Sequence, residues 1–170
     1  IDHEEGENAE STMRVVALSL GEEETQQLLR EVPEAYQTQI NDVLLTAFTQ
    51  AMSAWTGSTN ARFDLEGHGR EDLFEGVDLT RTVGWFTTVY PVLLEIDSGA
   101  GPAEALKSVK EQLRAVPANG IGHGLLRYLR EGGSAPALLR SAAPAEVSFN
   151  YLGQRDLLLP EGAPLRLATE

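Results

Sequence analysis

The stretch QINDVLLTAFTQAMSAWTGSTNARFDLE (Gln39–Glu66) indicates the fold class, because a helical pattern is followed almost at once by a strand pattern. In its first part, apolar residues stand three and four positions apart, a spacing that puts them on one face of a helix. Thr38 is the expected N-cap, and Gly57 is the expected glycine just past the last turn. We predict a core helix whose buried stripe consists of Ile40, Val43, Leu44, Ala47, Phe48, Ala51, Met52 and Trp55.

The second part of the stretch alternates apolar and polar residues, which is typical of a strand with one buried face. Ala61, Phe63 and Leu65 are expected to face the core. Comparable β-rich runs predict further strands over Thr12–Leu20, Val83–Ile96 and Val147–Gly153. Pro91 cannot donate to a sheet, so it indicates a bulge or an edge position in its strand.

Helical patterns separate these strands. They cover Gly21–Val32, which we expect Pro33 to end, and also Pro102–Val116 and Leu125–Arg130. The small residues of Gly132–Glu146 predict a connection. Because helices and strands alternate, the fold class is α/β in the broad sense, a two-layer sandwich with helices packed on a mixed sheet.

Composition narrows the possible functions. A chain of 170 residues with a net charge of −13 is one acidic domain that would repel nucleic acid. The absence of cysteine excludes disulfides and thiolate chemistry and fits a cytoplasmic location. No apolar run reaches the ~18–20 residues that cross a bilayer, so no membrane association is expected. No cluster of ligand-type residues suggests a metal.

The two ends of the sequence look unlike domain boundaries. Residues 1–11 are acidic and polar, which predicts a flexible lead-in rather than a signal peptide. The chain starts abruptly, and it stops without a capping pattern. We therefore expect a fragment of a longer protein.

The stretch EGHGRE follows the alternating strand directly and begins with Glu66 at the end of that strand. Gly67 and Gly69 would let the backbone bend sharply or approach a ligand closely. Taken alone, the stretch is more typical of a glycine-rich surface turn in which Glu66, His68 and Arg70 are solvated or ion-paired.

Two later stretches also differ from ordinary connections. Arg81–Thr87 places a glycine beside Trp85 and Phe86, which indicates close approach of another backbone or of a ligand. The two aromatic residues could instead simply belong to the core, and we expect core packing for Phe86. PANGIGHG (Pro117–Gly124) has glycines at alternate positions, including Gly122, but lacks the lysine of a nucleotide loop. A loop that grips pantetheine or peptide and a plain connector both remain possible.

A fourth stretch, Phe149–Gln154, carries an amide, a phenol and a second amide. Asn150 and Tyr151 could orient a carbonyl group or could be ordinary polar residues of an edge. The single stretch does not separate these interpretations.

Together and in this order, the four stretches resemble the signature runs of epimerization domains of nonribosomal peptide synthetases, in the condensation-domain superfamily. The resemblance extends from about Thr12 to Gln154, and His123 stands where that family has a tyrosine. It implies one half of a fold similar to chloramphenicol acetyltransferase, with the active site between two halves. Residues 12–170 would be the C-terminal subdomain, incomplete at its C-terminal end.

The resemblance implies an isomerase that inverts the α-carbon of an aminoacyl or peptidyl thioester. The substrate would be presented on the 4'-phosphopantetheine arm of a peptidyl carrier domain, with no other cofactor bound. Glu66 would be one of two acid/base groups, while Asn150 and Tyr151 are candidates to bind the thioester or enolate oxygen. The motif-supporting residues would be Gly67, His68, Gly69, Arg70, Trp85 and Gly122.

Arg70 is expected to point away from Glu66, because a guanidinium beside this carboxylate would make it a poorer base. Glu71 or Asp72 would be its partner. His68 and Arg70 would then shape the loop rather than move the proton.

The second acid/base group of such enzymes lies in a His-His-x-x-x-Asp-Gly motif, which this chain lacks. Its histidines, His3, His68 and His123, are not adjacent to one another. The expected partner is therefore an N-terminal half that carries this motif, and the chain alone is expected to be inactive. A condensation domain that forms peptide bonds is one alternative, and a non-catalytic docking or structural module is another.

Overall fold

A mixed three-stranded sheet with strand order β2-β1-β3 forms the centre of the computed structural model, which describes residues 6 and 9–153. The strands are β1 (Asn60–Gly67), β2 (Thr88–Glu95) and β3 (Ser148–Phe149). β1 pairs with β2 antiparallel in an unbroken register and with β3 in parallel. The predicted mixed sheet is thus confirmed.

Helices α3 (Ile40–Thr56) and α4 (Pro102–Arg114) pack on one face of the sheet and are the longest of the described part, at 17 and 13 residues. The predicted connection over 132–146 contains a helix, α6, and the predicted helix near residue 125 begins earlier, at α5. No helix of the described residues has the length and apolarity needed to cross a membrane. The helical segments are α1 (Glu22–Gln26), a π-helical turn (Gln27–Glu31), α2 (Val32–Tyr36), α3 (Ile40–Thr56), α4 (Pro102–Arg114), α5 (Gly122–Gly124), a second π-helical turn (Leu125–Leu129) and α6 (Ser134–Ser141), with 3₁₀ turns at Glu10–Thr12 and Pro117–Gly120.

The hydrophobic core lies between one face of the sheet and helices α3 and α4. Phe63 of β1, Leu45 of α3 and Val109 of α4 are completely buried. The Phe48 ring meets the Phe63 ring edge-on, with the ring centroids 5.4 Å apart, a favourable arrangement for two aromatic rings. This packing confirms the predicted half-buried strand and the two-layer arrangement.

Helix α3 begins and ends close to its predicted bounds. Gln39, not Thr38, is the N-cap, and its backbone N–H donates to the Asp42 carboxylate at 2.8 Å. Gly57 ends the helix in the left-handed conformation, as predicted (φ 72°).

The predicted buried stripe is wrong in detail: Trp55 is 74% exposed, and Ala47 and Ala51 are exposed as well. The buried residues of the helix are Leu45, Thr46 and Thr49, which the predicted stripe did not include, while its larger members Phe48 and Met52 are half-buried against the core.

The helix predicted to end at Pro33 continues to Tyr36. A proline inside a helix lacks an N–H group and crowds the carbonyl four residues earlier. Here that carbonyl lies in the wide π-helical turn Gln27–Glu31, and Pro33 stands in the first turn of α2, where no N–H is needed. The helical segment ends instead at Gln37, which has a left-handed backbone (φ 52°).

The strand predicted over Thr12–Leu20 is wrong, because in the described structure this segment joins no sheet. Val15, Val16 and Leu18 are 80%, 86% and 94% exposed. β-branched residues favour a strand only when a neighbouring strand pairs with their backbone. No such neighbour is available among the described residues.

The strands predicted over Val83–Ile96 and Val147–Gly153 form only in part. β2 begins at Thr88 because its partner Gly67 is the last residue of β1. β3 pairs through two residues. Pro91 lies in β2, at one edge of the described sheet and without a bulge, which confirms the edge alternative.

Candidate active site

The candidate site lies on the sheet face turned away from α3 and α4, which we call the open face. Because side chains alternate along a strand, Asp64 and Glu66 of β1 point to this face, while Phe63 and Leu65 point to the core. Their register partners on β2 also leave the core, as the 47% exposure of Val89 illustrates. One strand thus supplies the core on one side and polar groups on the other.

Glu66 and Asn150 are brought together by the parallel pairing of β1 and β3. The Asn150 side-chain amide donates a hydrogen bond from Nδ2 to Oε2 of Glu66 at 2.7 Å, across 84 positions of sequence. Glu66 is half-buried, and its Oε1 accepts no hydrogen bond from the described residues. The structure therefore joins the first and fourth stretches and holds a carboxylate with one oxygen free.

Tyr151 is not brought to Glu66. It is half-buried and makes no hydrogen bond within residues 9–153. The assignment of this phenol to an oxygen-binding role remains a prediction. Gln154, the last residue of the fourth stretch, lies outside the described residues.

The Arg70 side chain points away from Glu66, as predicted. Its partners differ from the predicted Glu71 and Asp72: Nη1 donates to the backbone carbonyl of Leu79, and the guanidinium lies over the Phe86 ring, 4.2 Å from its centroid. A cation over an aromatic face is favourable. Phe86 therefore supports the loop, and the expectation that it is a core residue is wrong.

His68 contacts its own loop. Its Nδ1 accepts the backbone N–H of Arg70 at 3.0 Å, so this nitrogen carries no proton. Its Nε2 lies 3.7 Å from Oε1 of Glu71. Because 71% of the His68 side chain is exposed, such a pair contributes little stability. These contacts fit the predicted loop-shaping role.

Gly69 is the glycine of this loop that the packing requires. Its backbone is left-handed (φ 66°), and a Cβ there would lie 1.6 Å from the carbonyl oxygen of Phe86. The close approach fixes the loop that carries His68 and Arg70 against the segment before β2. Gly69 thus has the backbone role that the glycine pattern predicted.

The third stretch packs against the first through Asn119, which the sequence interpretation missed. Its Nδ2 donates to Oε2 of Glu71 at 2.7 Å. Gly120 follows with φ 74°, and a Cβ there would lie 2.2 Å from the Tyr90 ring. The Asn-Gly dipeptide was the available signal, because these two residues adopt left-handed backbones most readily.

Gly122, which we predicted to support the motif, has nothing within 4 Å of the position that its Cβ would take. The structure therefore gives it no packing role. Gly120 is instead the glycine of this stretch that the packing requires.

The Tyr90 phenol lies next to this glycine. Burial raises the pKa of this phenol, and the charge of Glu71 raises it further.

A cleft of about 520 Å³ opens beside the open face, between the second and third stretches. Trp85 lies at this cleft with 91% of its surface exposed, so it is not a core residue. His123 also lines the cleft, and its Nδ1 is 3.2 Å from the carbonyl oxygen of Val89. In the described part of the chain, no group of three or more possible ligand side chains could hold a metal ion.

Known proteins resemble this chain over most of its length. A linear gramicidin synthase from Brevibacillus parabrevis is 52% identical over 155 residues, which cover 91% of this chain and 2% of that protein. Bacitracin synthase 2 from Bacillus licheniformis is 46% identical over 154 residues, covering 91% of this chain and 6% of that protein. The chain thus spans a small part of the relatives that it matches.

Two solved structures show the same fold. The epimerization domain from the third module of tyrocidine synthetase B has a TM-score of 0.71 and 42% identity, over 79% of this chain and 30% of that chain. The first condensation domain of the calcium-dependent antibiotic synthetase has a TM-score of 0.50 and 22% identity, over 66% of this chain and 25% of that chain. These likenesses confirm the predicted chloramphenicol-acetyltransferase-like fold.

A family model described as the condensation domain matches residues 3–161. This match covers most of the 170 residues and includes all four sequence stretches and both members of the Glu66–Asn150 pair. The chain therefore belongs to the condensation-domain family of nonribosomal peptide synthetases.

Proposed function

We propose that this chain is part of an epimerization domain, which converts a carrier-bound L-aminoacyl or peptidyl thioester to its D-epimer. The observation that carries the proposal is the 2.7 Å hydrogen bond from Asn150 to Glu66 on the open face of the sheet. The 42% identity to a solved epimerization domain, against 22% to a condensation domain, supports the same assignment.

The reaction requires removal of the α-proton, stabilisation of the resulting enolate, and return of a proton to the opposite face. In this proposal Oε1 of Glu66 exchanges the proton on one face of the α-carbon. Asn150 is in this proposal a positioning residue, since one N–H of its amide donates to Oε2 of the same carboxylate. Its second N–H is left for the thioester or enolate oxygen. Tyr151 remains a candidate donor to the enolate oxygen.

The other acid/base group would come from the rest of the domain. The chain matches only 30% of the solved epimerization-domain chain, so a larger part of such a domain lies beyond it. We assign residues 12–170 to a C-terminal subdomain whose partner carries the His-His-x-x-x-Asp-Gly motif. A peptidyl carrier domain would deliver the thioester on its 4'-phosphopantetheine arm.

The test uses the complete domain that contains this chain, with a carrier domain loaded with an L-aminoacyl group in deuterated solvent. We expect deuterium at the α-carbon and a mixture of L and D products. Glu66→Gln should lower the exchange rate by at least about a hundredfold, the usual contribution of an acid/base group. Glu95→Gln is the matched control, because Glu95 is an exposed carboxylate on the same sheet.

Peptide bond formation without α-proton exchange would contradict the proposal and identify a condensation domain. Neither reaction, in a domain that still binds its carrier, would identify a docking module. The 170-residue chain alone should show no exchange, because it supplies one acid/base group where the reaction needs two.

A further inference from the structure

Asp64 stands two residues before Glu66 on the same face of β1 and lines the cleft of about 520 Å³. Its carboxylate is half-buried and makes no hydrogen bond or ion pair with the described residues. A partly buried carboxylate without a partner is unfavourable, and a bound cation would remove that cost.

Aromatic rings form the outer part of the cleft. Trp85 and Tyr128 both line it and are 91% and 72% exposed. The faces of aromatic rings attract cations. The Arg127 guanidinium lies over the Tyr128 ring, 5.5 Å from its centroid, so Trp85 offers the free aromatic face. Among the described residues, no lysine or arginine lines the cleft. The Asp64 carboxylate and the exposed Trp85 ring together favour an ammonium group.

The spacing on β1 indicates which ammonium group. Side chains two residues apart on one face of a strand are separated by roughly 6.6 Å. In an aminoacyl thioester the α-nitrogen is bonded directly to the carbon whose proton Glu66 would remove. A substrate held with this proton at Glu66 can therefore place its α-nitrogen toward Asp64.

We propose that Asp64 binds the α-ammonium group of the substrate, so that this site prefers an aminoacyl thioester over an N-acylated or peptidyl one. The proposal rests on the proposed epimerization of a carrier-bound thioester.

The test measures α-proton exchange by the complete domain on four carrier-bound substrates with one carbon skeleton. These are L-lysyl, Nα-acetyl-L-lysyl, Nε-acetyl-L-lysyl and the doubly acetylated form. Acetylation at Nα should lower kcat/KM roughly tenfold to a hundredfold, the range for a hydrogen bond to a charged group, and acetylation at Nε should not. Asp64→Asn should reduce kcat/KM for the two free α-amine substrates by the same factor.

The Nα-acetylated substrates also serve as the folding control, because their exchange should be unchanged within about twofold in Asp64→Asn. An equal loss of kcat/KM on all four substrates in Asp64→Asn would show a structural role and overturn the proposal. A parent enzyme whose kcat/KM does not change on Nα-acetylation, or changes only on Nε-acetylation, would also overturn it. If the parent enzyme shows no exchange on any substrate, the proposed epimerization itself is contradicted.

Discussion

The two faces of the β2-β1-β3 sheet differ in what their side chains contact. The face toward α3 and α4 is closed, with Phe63 and Leu94 completely buried. The open face carries Asp64 and Glu66, both half-buried, beside the exposed Leu93. Alternation along β1 thus separates the core residues from the candidate site residues within one strand.

The closed face should carry the largest effect on stability. Phe63→Ala removes a completely buried ring from the core and should lower the free energy of unfolding by about 3–5 kcal/mol. Leu93→Ala is the matched control, because Leu93 lies on the open face and is 54% exposed. It should change stability by less than about 0.5 kcal/mol. Urea denaturation measures both, and similar losses would contradict the division between the faces.

The loop that borders the open face should be the next most sensitive. Gly69→Ala places a Cβ against the Phe86 carbonyl in a left-handed backbone, which should destabilise the fold by about 2–4 kcal/mol. Gly122→Ala is the control, because its Cβ position is open. That variant should be neutral or more stable by up to about 1 kcal/mol. Thermal unfolding that ranks the two variants in the reverse order would contradict the structure.

Removing the partner of Glu66 should affect activity more than stability. Asn150→Ala should lower the α-proton exchange rate of the complete domain by roughly tenfold to a hundredfold, because the carboxylate loses its hydrogen bond. Ser148→Ala, two residues earlier in β3 and also exposed, should leave the rate within about twofold. Equal rates in the two variants would show that the hydrogen bond does not position the base.

The smallest effect concerns pH. The pKa of Tyr90 is raised in the folded state by burial and by the charge of Glu71, relative to about 10 in the unfolded chain. The folded state therefore holds this proton more tightly, so its stability is retained below pH ~10 and falls as the pH rises further. Tyr90→Phe should show a weaker loss of stability between about pH 9 and 11. Urea midpoints with the same pH dependence in both proteins would contradict this account.

Local patterns in the sequence predicted most of the closed face. The presence of helix α3 and the alternation around Phe63 depend on residues close in the chain, and both were confirmed. Which side of α3 is buried was not, because the buried residues are Leu45, Thr46 and Thr49. Segments that need a distant partner were predicted less well. The 12–20 run has strand-forming residues but no neighbour to pair with in the described part of the structure, and β2 begins only where β1 offers a partner.

The site shows the same division between local and distant information. The candidate residues Glu66 and Asn150 came from the sequence, but their contact depends on a parallel pairing across 84 positions. The Arg70 partners, a backbone carbonyl and the Phe86 ring, could not be predicted, because neither has an opposite charge. Asn119 was missed although its left-handed turn had a signal in the Asn-Gly pair.

The proposed role of Glu66, positioned by Asn150, is to exchange the α-proton on the open face of the sheet. A double-mutant cycle on the exchange rate of the complete domain tests this role. Asn150→Ala should slow the parent enzyme and should have no further effect in the Glu66→Gln background, because both changes act through one carboxylate. Exchange that survives Glu66→Gln, or losses that simply multiply in the double variant, would contradict this role.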